Sequence, residues 1–268
     1  MRKRGVAIVG VIVLALIILV ILYQKKSNVT KSPSPLQVKI SLESITDGIL
    51  LDSSNTFLYK EGFIVAYNEQ YKQPASVSYI LTSQMVNSKK AERTNYFVED
   101  TMVTTVSASV VDYRGSGYDR GHLAPAADMQ WSEAAMYESF MFSNISPQIR
   151  GFNRGIWRKL ENKVRKWAML NDSLYIVTGP VLNTISTSIG DNQVGVPLYF
   201  FKVILDISYP SFKGIGFILP NEKSNEDIFD FAVSIDSIEK LVNYNFFPQL
   251  DSESIEYIES HLDKKQWK

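Results

Sequence analysis

Residues 5–23 contain neither a charged residue nor a proline. Wound as a helix, at 1.5 Å per residue, such a run reaches ~28 Å, about the thickness of a bilayer's hydrocarbon core. Beyond it the apolar positions change rhythm. Residues 59–82 hold two runs rich in aromatic and β-branched side chains, separated by residues 68–74, the pattern of a β-hairpin with a longer loop. Residues 101–112 read as another strand, and 129–142 and 153–170 as helices. The second helix is read from Ile156, Trp157, Leu160, Val164, Trp167 and Ala168, which recur at three- and four-residue steps. Strands return at 174–178, 196–207 and 214–219, and short helices at 237–243 and 252–262 close the chain. Strands at both ends with helices between them predict an α+β fold, one mixed domain rather than two.

The apolar run at the N-terminus is preceded by Arg2, Lys3 and Arg4 and followed by Lys25 and Lys26. A basic lead also suits a cleaved secretory signal, but the run is longer than a usual signal core and no A-x-A-like cleavage site follows it. The expectation is therefore one N-terminal transmembrane helix within residues 1–26, a linker and lead-in over 27–58 marked by Pro33 and Pro35, and a folded domain over 59–268. The slight basic excess before the run places the N-terminus inside. The domain is then expected outside the cytoplasm, periplasmic or extracellular, and secreted if the signal is cleaved.

Composition narrows the chemistry. The absence of cysteine excludes disulfides, a thiolate nucleophile and a cysteine-based zinc site. Lysine plus arginine number 28 against 28 acids, so the chain has no net charge. Five of those bases lie in the first 26 residues, which leaves the remainder at −5. Any attraction for nucleic acid must then be local. The dense basic stretch runs from Arg150 to Lys166, where seven basic residues accompany the single acid Glu161 within 17 positions; it suits a phosphate backbone and fits a solvated helix face as well. Residues 221–268 carry eleven acids and five bases, so charge is segregated along the chain.

Two clusters carry candidate chemistry. Asp119-Arg120-Gly121-His122 places one of only two histidines between charged groups and a glycine. Taken alone, such a histidine is more often a hydrogen-bonded structural residue than a catalytic one. Downstream, Ser143-Asn144-Ile145-Ser146-Pro147-Gln148 precedes Asn153, Trp157, Glu161 and Arg165. Their four-residue spacing sets them along one slowly drifting helical face, with Asn153 at the first turn. Taken alone, that pattern also fits an amphipathic helix with Asn153 as its N-cap.

Taken together, DRGHLAPAADM, FSNISPQ, the N-RGIW-KLE-VR series, LYIVTGPVL, VPLYFFKVILD and GFILPN resemble the DNA/RNA non-specific endonuclease family, the endonuclease G-like ββα-metal nucleases, over residues 63–248. The resemblance implies a mixed, largely antiparallel sheet with a ββα-metal catalytic motif. It also implies His122 as general base, Asn153 as the direct ligand of Mg²⁺ (with Mn²⁺ as substitute), and Asn144 and Glu161 around the metal, Glu161 holding its waters. Arg93, in the weaker pattern Arg93-x-x-x-Phe97-x-x-Asp100, matches an arginine thought to clamp phosphate. Arg120 and Arg165 are further phosphate contacts, whereas Asp119 reads as structural. Implied partners are DNA and RNA, cut to 5′-phosphate and 3′-hydroxyl ends, together with the membrane through the N-terminal helix and a second copy in a homodimer.

The residue types suit that reaction. An imidazole with an ordinary pKa of ~6.5 accepts a proton near neutrality. Magnesium keeps several waters, so one neutral carboxamide suffices and leaves the ion's charge uncancelled. Arginine forks recognise phosphate oxygens rather than base edges, which predicts activity on both nucleic acids with weak sequence choice. Two rivals share these features: a tethered nucleic-acid-binding protein without catalysis, and a phosphodiesterase of small nucleotides.

Overall fold

The computed structural model describes residues 55–206, 208, 212–248 and 253–268. Its centre is a seven-stranded antiparallel sheet in the order β1-β2-β3-β6-β9-β10-β11. The strands are β1 (Asn55–Tyr59), β2 (Ile64–Asn68), β3 (Gln73–Thr82), β6 (Ser173–Pro180), β9 (Tyr199–Asp206), β10 (Lys213–Pro220) and β11 (Ala232–Val233). The central strands β6 and β9 are buried along nearly their whole length, because both sheet faces are covered. On one face Phe200, Ile204, Ile176 and Phe217 pack against Leu160, Val164, Trp167 and Ala168 of helix α4 (Arg158–Asn171). On the other, Phe201, Val203 and Leu205 meet Ile235 and Ile238 of helix α5 (Ile235–Val242) and Ile255 of helix α6 (Glu253–Ser260). Alternate residues along each strand feed opposite cores, so the strands read in sequence as continuous apolar runs.

Two small ribbons stand beside this sheet. β4 (Tyr118–His122) pairs with β5 (Ile145–Ile149), and β7 (Ile185–Ile189) with β8 (Val194–Pro197). The β4–β5 ribbon runs through one turn of helix (Arg150–Phe152) and a π-helical turn (Asn153–Trp157) into α4, which completes a ββα unit.

Several elements differ from the sequence reading. Residues 101–112 form no strand: they run irregularly into a one-turn helix, α2 (Val110–Tyr113), closed by a capping box between Ser109 and Asp112. Here tertiary hydrogen bonds override β-propensity, since the hydroxyls of Thr104 and Thr105 both donate to Glu69. Before that stretch, a short helix α1 (Ser83–Asn87) follows β3. The helix expected over 129–142 contracts to α3 (Glu133–Ser139), because Ser132 caps its start. The long helix from residue 153 is broken at Gly155 (φ −103°, ψ −111°), and α4 begins only at Arg158.

The expected span at residues 5–23, and the lead-in as far as residue 54, lie outside the described residues. Among the described residues no helix is long and apolar enough to cross a membrane.

Candidate active site

The ββα unit forms the wall of a cavity of about 720 Å³. Arg93, Arg120, His122, Asn153, Glu161 and Arg165 all line it, together with Asp119, Arg114, Arg154 and Arg158. Six arginines therefore face two carboxylates. Asn144 is the one expected site residue that does not reach the cavity.

His122 ends β4, opposite Ile145 of β5. Gly121 allows the ribbon to close at this point, because a β-carbon there would overlap the buried side chain of Gln148. The imidazole is only 8% exposed and sits between the Phe140 ring, edge-on at 4.7 Å, and the Phe97 ring at 5.4 Å. Its Nε2 has no hydrogen-bond partner. Burial, with Arg93 and Arg120 adding to it, pushes the imidazole down to about 3, so it is neutral at physiological pH. The same two rings carry the arginines: Arg120 lies 4.2 Å above Phe97 and Arg93 5.4 Å from the centre of Phe140. Among the described residues neither arginine forms an ion pair, which leaves both available to an anion.

Asn144 fixes the chain just beyond the histidine. Its Oδ1 accepts from the Ala124 amide at 2.9 Å, and its Nδ2 donates to the carbonyls of Ala124 (2.9 Å) and Ser139 (2.8 Å). Its own carbonyl accepts from Leu123. Fully buried and satisfied in this way, Asn144 holds the loop after His122 instead of facing a metal.

Asn153 opens the π-helical turn, an irregularity frequent at functional positions. Its Nδ2 donates to Asp119 Oδ2 at 3.0 Å. That bond commits the nitrogen end of the carboxamide and leaves Oδ1, the end a hard cation requires, to the cavity. Asp119 also receives Arg154 through Nε (2.7 Å) and Nη2 (3.2 Å). Although partial burial opposes it, these donors hold the Asp119 carboxyl below its usual range. Asp119 is thus the link between the two clusters. The sequence reading assigned it only a structural role, because its partners lie 34 and 35 residues away.

On α4, Glu161 and Arg165 follow Asn153 along the cavity. Arg165 is pinned through Nη1 to Asp128 at 2.6 Å, and Asp128 also accepts from the Tyr79 hydroxyl at 3.0 Å. Desolvation raises the Glu161 carboxyl while the nearby Lys202 charge opposes that rise. The Asn153 carboxamide oxygen and the Glu161 carboxylate are hard oxygen donors of the kind that suits a divalent cation of the magnesium type. Arg154 and Arg158 were visible in the sequence only as part of the basic stretch, and Arg114 carried no signal there. Asn153 and Asp119 mark where that charge converges.

The family model for DNA/RNA non-specific endonuclease matches residues 41–253. A nuclease of Syncephalastrum racemosum is 34% identical over 218 residues, which span 72% of this chain and 68% of that protein. The human protein named Endonuclease G, mitochondrial, is 32% identical over 205 residues, spanning 71% of this chain and 69% of its own. A crystal structure of an EndoG/EndoGI complex superposes with a TM-score of 0.69 at 27% identity, covering 80% of this chain and 94% of that one.

These relatives overturn the expected address. Several of them are named as mitochondrial nucleases. The expectation of a single-pass, membrane-anchored protein with its catalytic domain periplasmic, extracellular or secreted is therefore corrected. Basic residues flank the apolar run on both sides, so its small charge bias was a weak guide to topology.

Proposed function

Because this chain belongs to the DNA/RNA non-specific endonuclease family and is a nuclease, we propose that it hydrolyses phosphodiester bonds within DNA and RNA with little sequence preference, using His122 as general base and a divalent cation held at Asn153. The observation that carries this reading is the convergence of an imidazole whose Nε2 has no hydrogen-bond partner and an oriented carboxamide on one arginine-rich cavity.

Arg93 and Arg120 bind the phosphate, each steadied by the ring beneath it. Burial depresses His122 in the free protein, and the charge of the two arginines adds a smaller share to that. An anionic phosphate lying against both guanidinium groups cancels that influence, so the imidazole becomes a stronger base when substrate is bound. Nε2 then accepts the proton of the attacking water, and the aromatic walls exclude competing solvent. Arg165, pinned by Asp128, offers its charge to the phosphate from a fixed position. Asn153 through its carbonyl oxygen, and Glu161 through coordinated waters, are the residues that would hold Mg²⁺ or its substitute Mn²⁺. When bound, that ion supplies charge neutralisation at the phosphate and leaving oxygens. None of these groups reads a base edge, which accounts for activity on both nucleic acids.

The test is cleavage of supercoiled plasmid and of a structured RNA by the purified chain. Both are expected to be degraded in Mg²⁺ and to stay intact in EDTA. Binding without cutting would favour a catalytically inactive nucleic-acid-binding protein. Strong competition by mononucleotide esters, but not by long duplex, would favour a small-nucleotide phosphodiesterase.

A further inference from the structure

On the sheet face that packs against α4, a buried ammonium interrupts an apolar core. Lys202 lies on β9 between Phe200 and Ile204, on the sheet face that packs against α4 and the turn before it. Its register neighbours are Thr178 on β6 and Phe217 on β10. It is 1% exposed, and its Nζ has no hydrogen-bond partner. The ammonium rests 4.7 Å from the centre of the Trp157 ring. Trp157 is four residues ahead of Glu161 on the same helical run, and Glu161 lines the cavity whereas Lys202 is not among its lining residues.

An ammonium in such a place is costly: burial disfavours its charge, and a ring face compensates only partly. For packing alone, leucine or methionine would serve better. The compensating attractions come from Glu161 and Asp128, with Arg165 opposing. Asp128 is already satisfied by Arg165 and Tyr79. Glu161 makes no direct ion pair or hydrogen bond among the described residues, and Lys202 is the foremost charge attracting it. The weaker attractions on Glu161 come from Arg165 and Arg93, which belong to the phosphate-binding wall.

We propose that Lys202 is a positioning residue for the divalent cation: its buried charge holds Glu161 in its place beside Asn153 and prevents it from collapsing onto Arg93 and Arg165. This rests on the metal-dependent nuclease reading given above. Without Lys202 the carboxylate turns to the arginines, and the cation loses its water-holding anion.

The test is Mn²⁺ binding to the full chain, read by electron paramagnetic resonance of the free ion, for the natural protein, Lys202→Met, Lys202→Gln, Glu161→Gln and the double variant Glu161→Gln/Lys202→Met. Removing an outer partner of a metal site costs on the order of 10- to 100-fold in affinity, and that loss is expected in both Lys202 variants. The melting temperature of each variant is measured alongside, and because losing Lys202 also takes from Glu161 its foremost attracting charge, the double variant, not the melting temperature, separates positioning from support of the fold. Added to Glu161→Gln, Lys202→Met should cause no further loss, because it acts through that carboxylate. Lys202→Gln keeps a polar end in the buried place and carries the readout if the methionine variant does not fold. Natural Mn²⁺ affinity in either folded Lys202 variant, or full additivity with Glu161→Gln, overturns the proposal alone. Failure of the natural chain to bind Mn²⁺ overturns it together with the metal reading of the cavity.

Discussion

His122 shows how one side chain can be poor for stability and suited to chemistry at once. Its imidazole is shut between two aromatic rings with Nε2 unbonded, and burial sets its folded pKa at about 3. Unfolded, it titrates near ~6.5. Between those values the unfolded chain binds a proton that the folded chain refuses. The stabilising contribution is therefore complete above about 6.5 and is lost as pH falls toward 3. Replacing the residue removes this linkage: His122→Gln should lose urea stability less steeply than the natural protein between pH 7 and 4. Parallel stability curves would place the histidine in a solvated setting instead. The residue itself is legible in the sequence, because DRGH is short and local. The neutral state of its ring is not, because that depends on Phe140 and Arg93 from distant segments.

At the scale of elements, the site is built by irregularities that periodicity does not reveal. The apolar spacing through Leu160, Val164, Trp167 and Ala168 gives α4 correctly, since those residues meet the sheet core. The same spacing extends smoothly back through Ile156 and Trp157, and so it concealed the π-helical turn and the break at Gly155 that aim Asn153 toward Asp119. Residues 101–112 misled for the opposite reason: β-branched composition suggested a strand, while hydroxyl bonds to Glu69 hold the segment as loop. Asn144 belongs with these elements. Its carboxamide fastens the loop after β4 to the end of α3 through three hydrogen bonds. Asn144→Ala leaves those buried backbone groups unsatisfied and should lower stability by roughly 2 kcal/mol or more, measured by urea denaturation. A midpoint equal to that of the natural protein would mean that the loop holds itself.

Across the whole molecule, the central strands were legible in outline because they are apolar on both faces, whereas their antiparallel pairing was implied by the family resemblance. Their order, with β9 between β6 and β10, was not legible, because pairing partners are set by tertiary packing. Charge follows a similar rule. The basic stretch of residues 150–166 was plain in sequence, but its convergence with Arg93, Arg114 and Arg120 on one cavity emerges only in the fold. A protein with balanced overall charge thereby presents a concentrated cationic site, and duplex binding in EDTA should weaken steeply with salt. Arg158 lines that cavity and forms no ion pair among the described residues. Arg158→Ala should reduce the slope of log affinity against log salt by about 1, with little change in sequence preference; an unaltered slope would take it out of contact with phosphate.

The central claim is that His122 and Asn153 act on one phosphate. Single-turnover cleavage of an end-labelled duplex, with binding measured in parallel, tests it in the natural chain, His122→Ala and Asn153→Ala. His122→Ala should cut roughly 10²-fold more slowly or worse while still binding DNA, and Asn153→Ala should lose its response to Mg²⁺. A folded variant of either kind cutting at the natural rate, or a natural chain fully active in EDTA, would contradict the account.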